Sequence, residues 1–505
     1  MAPLSVFSID LLSEHLLLIV SVLVFVALIM TKASTKVGVP TLLVFLILGM
    51  LVGQDGLGLK FEKYNYAELM GHFAMAIILL RGGLETSISE TRPIQKQGLL
   101  LSSVGVLLMI AIMGCFISWL FPNFPGTVTS VVACLTVAAI MSSTDATVVF
   151  SMLRSKRLRL RENLAPLLEL EASSNDPTAY VLTVVMVAIL KEIHTIEAAI
   201  APGTSIIWPM LLVGLGVLAL QLVVGYVLGF VFGYLGTWVV NKIKLSNHAL
   251  SSIMILCIAF FGSGVSEMLG GNGLITIYLT GILISNKSNF AYTERRDVRN
   301  FFEGLAWLVQ LLMFLVLGIL ARPSIFPQVL VPALLIGLFM LFVARPLSVF
   351  ITLLPFRKMS WRAKAFVSWV GMKGAGPILF ALCPVVAGLD IGHEIFSIVF
   401  IVTMLSLLLQ GMTLEPVAHL LKLSYDDEPE AQTFGIEMPE DMGMLRDHII
   451  SEDDIAKGET VRDLNLPHGI RIVMVRRDGR FLVPHGSMPL QVGDHLIIVM
   501  GDSDD

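Results

Sequence analysis

Leu168-Glu169-Leu170-Glu171-Ala172-Ser173-Ser174-Asn175-Asp176-Pro177 sets three acids, an amide and two hydroxyls within eight residues of an apolar run. The surroundings give this stretch its meaning. Of 505 residues, 55% are hydrophobic and only 14% charged; mean hydropathy is +0.83. A soluble domain carries about a quarter charged residues, because polar groups must cover its surface. The apolar residues also fall in long blocks, as at Leu16–Met30, Leu99–Leu120, Ile206–Val240 and Phe396–Leu409. A membrane span needs about 20 such residues. The solvent is therefore a bilayer, where an ionisable side chain is costly and marks function. The Asn175-Asp176 step is expected to bind a cation or a proton.

Outward from that step, hydropathy and Gly/Pro punctuation divide the chain into thirteen spans, at residues 15–31, 37–55, 66–83, 97–121, 127–152, 162–192, 204–240, 248–268, 272–287, 298–321, 326–353, 362–385 and 393–421. Alternate loops then carry nineteen lysines and arginines on one side and four on the other, Lys60, Lys63, Lys191 and Arg322. Basic residues gather on the cytoplasmic side, so the N-terminus is expected outside and the C-terminus inside. Asp176 lies about 14 residues from the inner end of the sixth span, roughly 20 Å deep at about 1.5 Å per residue. The start lacks the basic region of a cleaved signal peptide, so the first span is expected to stay as the insertion signal.

Other polar groups interrupt the apolar spans. The fifth contains Ser142-Ser143-Thr144-Asp145, and the twelfth contains Gly371-Met372-Lys373-Gly374-Ala375-Gly376-Pro377. Both read as helix breaks, tolerated in a membrane only where protein or water covers the freed backbone. They lie seven spans apart and enter from opposite sides, as an inverted repeat of spans 1–6 and 8–13 requires, and paired breaks point to a mid-membrane transport site. Thr144 offers oxygens, and Asp145 offsets a positive half-helix end. Arg345, before Pro346, sits at the depth of Glu171 and either pairs with it or reaches to the inner surface. Arg81 and Glu85 edge an inner funnel or anchor span 3 at the interface. His72 reads as a packed core residue.

After residue 422 the composition changes. Residues 423–445 are acidic and Pro-bearing, a linker, and 446–505 read as a small domain with a hairpin around Arg477-Asp478-Gly479 and a strand at His495–Met500. Arg471, Arg476, Arg477 and His485 are candidates for a pocket holding a nucleotide or other small anion, or else form a solvated strand face. A net charge of −5 gives no reason for a nucleic-acid partner. Four cysteines lie in apolar blocks without metal-like spacing and read as reduced core residues. Walker A, HExxH and a strand-to-helix GxSxG are absent, which argues against a metabolic enzyme.

Together these residues resemble the monovalent cation:proton antiporter-1 family, on Glu171-x-x-x-Asn175-Asp176, Thr144-Asp145, Arg345 between Ala344 and Pro346, Gly371–Gly376, Phe302-Glu303 with Phe314 and Leu317-Gly318, and Gly271–Asn286. Residues 446–501 resemble a TrkA-C (RCK-C) module, on Gly458, Val461, Leu464, Leu466-Pro467, Pro484 and Gly493-Asp494. The resemblance implies an all-α antiporter fold of thirteen helices with inverted repeats, plus a small α+β cytoplasmic regulatory domain. It implies a homodimer in lipid at the bacterial inner membrane, exchanging a monovalent cation for a proton without a cofactor, and the potassium/proton branch with a TrkA-C domain. Asp176 would hold cation or proton with Asn175, Thr144, Asp145 and Ser174. Asn175, which cannot titrate, would orient Glu171 or Asp176; one titrating carboxylate implies electroneutral one-for-one exchange. The family often has Ser after the motif Glu; here Ala172 stands, a change that suits a larger, weakly hydrated ion such as potassium. Alternatives are a sodium or lithium antiporter of the same fold, a cation-coupled solute symporter, and a ligand-gated potassium channel, the last lacking a TVGYG-like filter.

Overall fold

The computed structural model describes residues 18, 21–30, 40–59, 64–121, 128–145, 149–150, 153, 158–199, 207–243, 245, 248–290, 292–426, 445–450, 460–464, 470–477 and 480–500. The chain divides into a helical unit, Met1–Tyr425, and a smaller unit, Asp426–Asp505.

In the helical unit the apolar runs form helices, because only a helix satisfies its own backbone groups in lipid. They are α1 (Ser21–Met30), α2 (Thr41–Val52), α3 (Tyr64–Glu85), α4 (Gln95–Leu120), α5 (Val128–Ile140), α6 (Leu164–Ala199), α7 (Ile207–Lys242), α8 (His248–Met268), α9 (Gly273–Lys287), α10 (Tyr292–Leu320), α11 (Pro323–Thr352), α12 (Trp361–Trp369), α13 (Ala375–Val386) and α14 (Gly392–Leu420). Among the described residues, seven helices are long and apolar enough to cross a membrane by length and composition: α3, α4, the Gly216–Lys242 part of α7, and α8, α10, α11 and α14 in most or all of their length. That is fewer than the thirteen expected spans. The helix bearing Asn175-Asp176 is not among them, since its acids and hydroxyls dilute its hydropathy. The twelfth expected span is two short helices, α12 and α13, with a non-helical link at 371–374. Residues 141–145 likewise leave the helix after α5; most of the rest of that span lies outside the described residues.

Two irregular turns have a local cause or use. Pro346 has no N–H and its ring clashes with the carbonyl four residues back; the π-helical turn Met340–Ala344 accommodates it just before Arg345. A second π turn, Leu101–Gly105, lies in α4. Ser348 Oγ, in the α-helical turn that follows Pro346, donates to the Gly105 carbonyl at the end of the second π turn at 2.6 Å. The four cysteines are free thiols. Cys134 and Cys383 are buried, but Cys115 and Cys257 are exposed, a correction to the core reading. An apolar medium outside the protein accepts a thiol as readily as the core does.

Helices α2 and α10 pack through glycines. A Cβ on Gly49 would strike the Leu315 carbonyl and come 2.9 Å from Gly318 Cα; one on Gly318 would strike the Leu46 carbonyl. Such small-residue contacts let membrane helices gain packing where no hydrophobic drive exists.

At the end of the helical unit, Lys422 adopts a left-handed conformation (φ 57°). Leu423 N–H reaches back to the Ala418 carbonyl at 3.0 Å, which closes α14. The chain then runs into β2 (Ser424–Asp426), which pairs with β1 (Leu158–Leu160). Arg161 N–H donates to the Leu423 carbonyl at 2.8 Å.

The smaller unit is a four-stranded antiparallel sheet, in order β3 (Leu445–Ile449), β6 (His495–Met500), β4 (Ile470–Arg477), β5 (Arg480–Leu482). Arg477 pairs with Arg480 across the hairpin end, while the turn at 478–479 lies outside the described residues. So do 427–444, most of the expected linker. No helix occurs among the described residues of this unit. Val475, Leu496 and Ile450 form its core with Met488, Leu490 and Ile498.

Two expectations follow. Gly318→Leu should lower the yield of folded protein and its thermal stability in detergent, because backbone cannot move aside. Asp494 is buried, which by itself raises its pKa, but hydrogen bonds from Arg477 and the Gln491 N–H hold it below the usual aspartate value. A depressed folded-state pKa gives stability that is present above the unfolded value and lost as pH falls through the folded one. Acid should therefore destabilise the sheet below about pH 4, and Asp494→Asn should remove that dependence in a thermal-shift series.

Candidate functional site

Two helix breaks meet at the centre of the helical unit. Each leaves backbone groups without helical partners, and the structure supplies substitutes. Asp145 N–H donates to the Met372 carbonyl at 2.9 Å, joining one break to the other. Lys373 Nζ, on a side chain 1% exposed, donates to the Ser143 carbonyl at 2.8 Å. Asn175 Nδ2 donates to Thr144 Oγ1 at 2.6 Å, and its Oδ1 accepts a longer bond from Thr144 N–H at 3.5 Å. Lys373 N–H donates to Ser406 Oγ at 2.9 Å, Ser406 Oγ to Gln410 Oε1 at 2.5 Å, and Gln410 Nε2 to the Trp369 carbonyl at 2.5 Å.

The glycines of the second break allow this closeness. A Cβ on Gly374 would overlap the Asp145 carboxylate, and one on Gly376 would lie 2.9 Å from Ser143 Oγ. One on Gly371 would lie 2.5 Å from Arg345 Nε.

The sixth helix shows two working faces. Glu169, Ala172, Ser173 and Asp176 are spaced i, i+3, i+4, i+7 and line one cavity of about 280 Å³. Thr144, Asp145, Arg81, Gly82, Glu85, Ala375 and Gly376 line it too. Ser143 Oγ donates to Asp176 Oδ1. Pro177 lacks the N–H that would bond the Ser173 carbonyl, so the ladder opens beside Asp176. Arg81 Nε bonds Glu85 Oε1 at 2.9 Å, and Glu303 lies 3.9 Å from Arg81.

The other face carries Glu171 and Asn175, both fully buried. Arg345 NH2 lies 2.6 Å from Glu171 Oε1. Glu171, Asp176 and Arg345 are also the charged neighbours of Lys373. A buried ion pair tolerates the loss of neither partner, since the survivor is left as an uncompensated charge.

Three sequence expectations change in detail. Ser174 turns away from the cavity and Ser173 takes its place, because one residue rotates the helix face by about 100°. Asn175 holds Thr144, not Glu171 or Asp176, so the Thr144 hydroxyl already has a partner. Lys373, expected only at the crossing, sits among the buried charges. In the smaller unit Arg477 is committed to Asp494, at 2.8 and 2.6 Å. Arg476 also has an interaction of its own, and the Arg471 side chain lies outside the described residues. Sequence reasoning placed Ser143 in the fifth-span break without a role toward Asp176, and it passed over Ser406 and Gln410. The signal for Gln410 was an amide within the apolar run Ser406–Met412.

Comparison with known proteins gives a consistent picture. Residues 21–420 match the model of the sodium/hydrogen exchanger transmembrane family, and 445–504 match the TrkA-C domain. The chain is 36% identical over 487 residues to a protein of Shewanella oneidensis named K(+)/H(+) antiporter NhaP2, covering 95% of this chain and 80% of that one. It is 32% identical over 498 residues to the K(+)/H(+) antiporter NhaP of Alkalimonas amylolytica, covering 96% and 80%. It shares the fold of the sodium proton antiporter MjNhaP1 from Methanocaldococcus jannaschii at pH 8, with TM-score 0.65, 19% identity, and coverage of 81% of this chain and 99% of that one.

Glu171→Ala and Arg345→Ala should each lower stability by about 3–5 kcal/mol. Glu171→Ala/Arg345→Ala should lose less than their sum in thermal unfolding; strict additivity would show that the two charges act independently.

Proposed function

The chain belongs to the sodium/hydrogen exchanger family, and on that premise we propose that it exchanges a cytoplasmic monovalent cation for an external proton at Asp176. The observation that carries this reading is the position of Asp176. It lies on the cavity-facing stripe of α6, at the meeting of two helix breaks. A carboxylate there can be neutralised by a proton or by a cation. Both neutral forms can cross; the bare anion is costly in a medium of low dielectric. That rule couples the two ions in opposite directions.

The remaining residues divide the labour. Glu169, Glu85 and Asp145 give the cavity a negative lining that gathers cations, opposed by Arg81. Lys373, Glu171 and Arg345 balance the broken-helix ends and hold them fixed. Asn175 clamps Thr144 and adds no titrating group, so one cation moves for one proton. Ala172 lies on the cavity stripe, where a serine would add a hydroxyl ligand. Its absence favours a larger, less hydrated ion, and potassium is the cation in the names of both relatives over 30% identical given above. The sodium reading keeps support from a more distant relative, the Na(+)/H(+) antiporter NhaP of Pseudomonas aeruginosa, 25% identical over 389 residues.

The same reading includes thirteen crossings, an outer N-terminus, an inner C-terminus and a homodimer in the bacterial inner membrane. The distribution of lysine and arginine supports the orientation. The TrkA-C domain would adjust activity by binding a small ligand.

In proteoliposomes with a proton-sensitive dye, K⁺, Na⁺, Li⁺ and Rb⁺ should each be titrated separately. Potassium should give the largest proton flux. Asp176→Asn should abolish exchange while the protein keeps its thermal stability; full activity in that variant would end the assignment.

A further inference from the structure

The helices that line the Asp176 cavity carry a second polar cluster beyond it. On α3, Glu68 and His72 continue toward its N-terminal end the stripe that Met75, Leu79 and Gly82 present to the cavity. On α6, Tyr180 follows Asp176 by about one turn, and on α13, Cys383 follows Gly376 by about two. These helices pack on one another. The Tyr180 hydroxyl and His72 Nε2 are 3.1 Å apart, and the two rings meet edge-on at 4.9 Å. Cys383 Sγ donates to Glu68 Oε1 at 3.8 Å. Besides His72, the titratable groups Glu68, Cys383 and Glu267 of α8 act electrostatically on Tyr180.

Apolar groups separate this cluster from the cavity. Leu379 fills the space over Gly71, where any Cβ would collide with it. The Phe380 ring lies 5.4 Å from Tyr180. At the start of α3, Tyr64 accepts from Arg322 NH2 at 2.7 Å and its ring faces His393 at 5.5 Å. The three helix faces thus run from the cavity, through an apolar plug, to a half-buried carboxylate and then to a polar rim. Packing alone has no use for a carboxylate, an imidazole, a phenol and a thiol together in lipid-embedded helices.

We propose that this cluster is the outer mouth of the exchange path. Glu68 is the carboxylate that receives the entering proton or the departing monovalent cation, and Leu379, Phe380 and Tyr180 are the closed gate in this conformation. The proposal rests on the reading of Asp176 as the exchanging group.

Cys383 is a built-in reporter of that gate. In a full-length chain with Cys115, Cys134 and Cys257 replaced by serine, a membrane-impermeant maleimide should label Cys383 from the periplasmic side only, faster when a potassium gradient drives turnover, and labelling should stop exchange. In right-side-out vesicles, Glu68→Gln should raise the KM for the external ion severalfold, while inside-out vesicles show an unchanged KM for the inner ion; Glu68→Asp should recover part of the loss. Labelling from the cytoplasmic side, no labelling in a protein that still exchanges ions, or equal changes in KM on both faces would overturn the proposal. Wild-type exchange is measured first: its absence would remove the Asp176 reading and this one with it, whereas exchange with an unreactive Cys383 would remove the outer mouth alone.

Discussion

Inside a bilayer, a helix that stops must find new partners for every backbone group it releases. This constraint organises the centre of the molecule. The breaks at 141–145 and 371–374 would each be intolerable alone. Together they supply one another, through Asp145 N–H to the Met372 carbonyl, and Lys373, Asn175, Ser406 and Gln410 partner further backbone groups there. Lys373 and Asn175 thus satisfy backbone and also set the electrostatics of the site. Glycines at 371, 374 and 376 are the steric condition for all of it.

The sixth helix separates chemistry from support by rotation. The stripe Glu169, Ala172, Ser173, Asp176 sees the cavity, while Glu171 and Asn175 see Arg345 and Thr144. An exchanging carboxylate must change its charge in each cycle. In the proposed exchange Asp176 is that group, while the Arg345–Glu171 pair braces the opposite face of the helix. Adjacent positions in the motif therefore have different tasks.

Much of this could be read from the residues. Glycine, proline and hydroxyl side chains in apolar runs marked both breaks, and depth arithmetic put Arg345 level with Glu171. Patterning also predicted the hairpin of the smaller unit, where β4 and β5 pair. Other features were not legible. The partner of Asn175 is 31 residues away, and sequence proximity pointed to Glu171 and Asp176 instead. Choosing Ser173 over Ser174 needs the angular position of the cavity, which no single helix contains. Ser406 and Gln410 bond a break that only tertiary packing brings to them. The count of thirteen spans was not recovered: among the described residues seven helices are long and apolar enough to cross, and others, such as Thr41–Val52 and Ala375–Val386, are apolar but shorter.

The short pairing of β1 with β2 has a mechanical side. Lys422 turns the chain out of α14, and the residues that follow lie against the strand leading into α6. Glu162, at the start of α6, also accepts from Ser360, the residue that caps α12. The chain therefore departs from a lever arm whose short end is the helix carrying Asp176 and whose fulcrum touches the helix leading into the second break. A pull on the residues of β2 would bear directly on the strand before α6 and, through Glu162, on the start of α12, with no need to travel through the bundle.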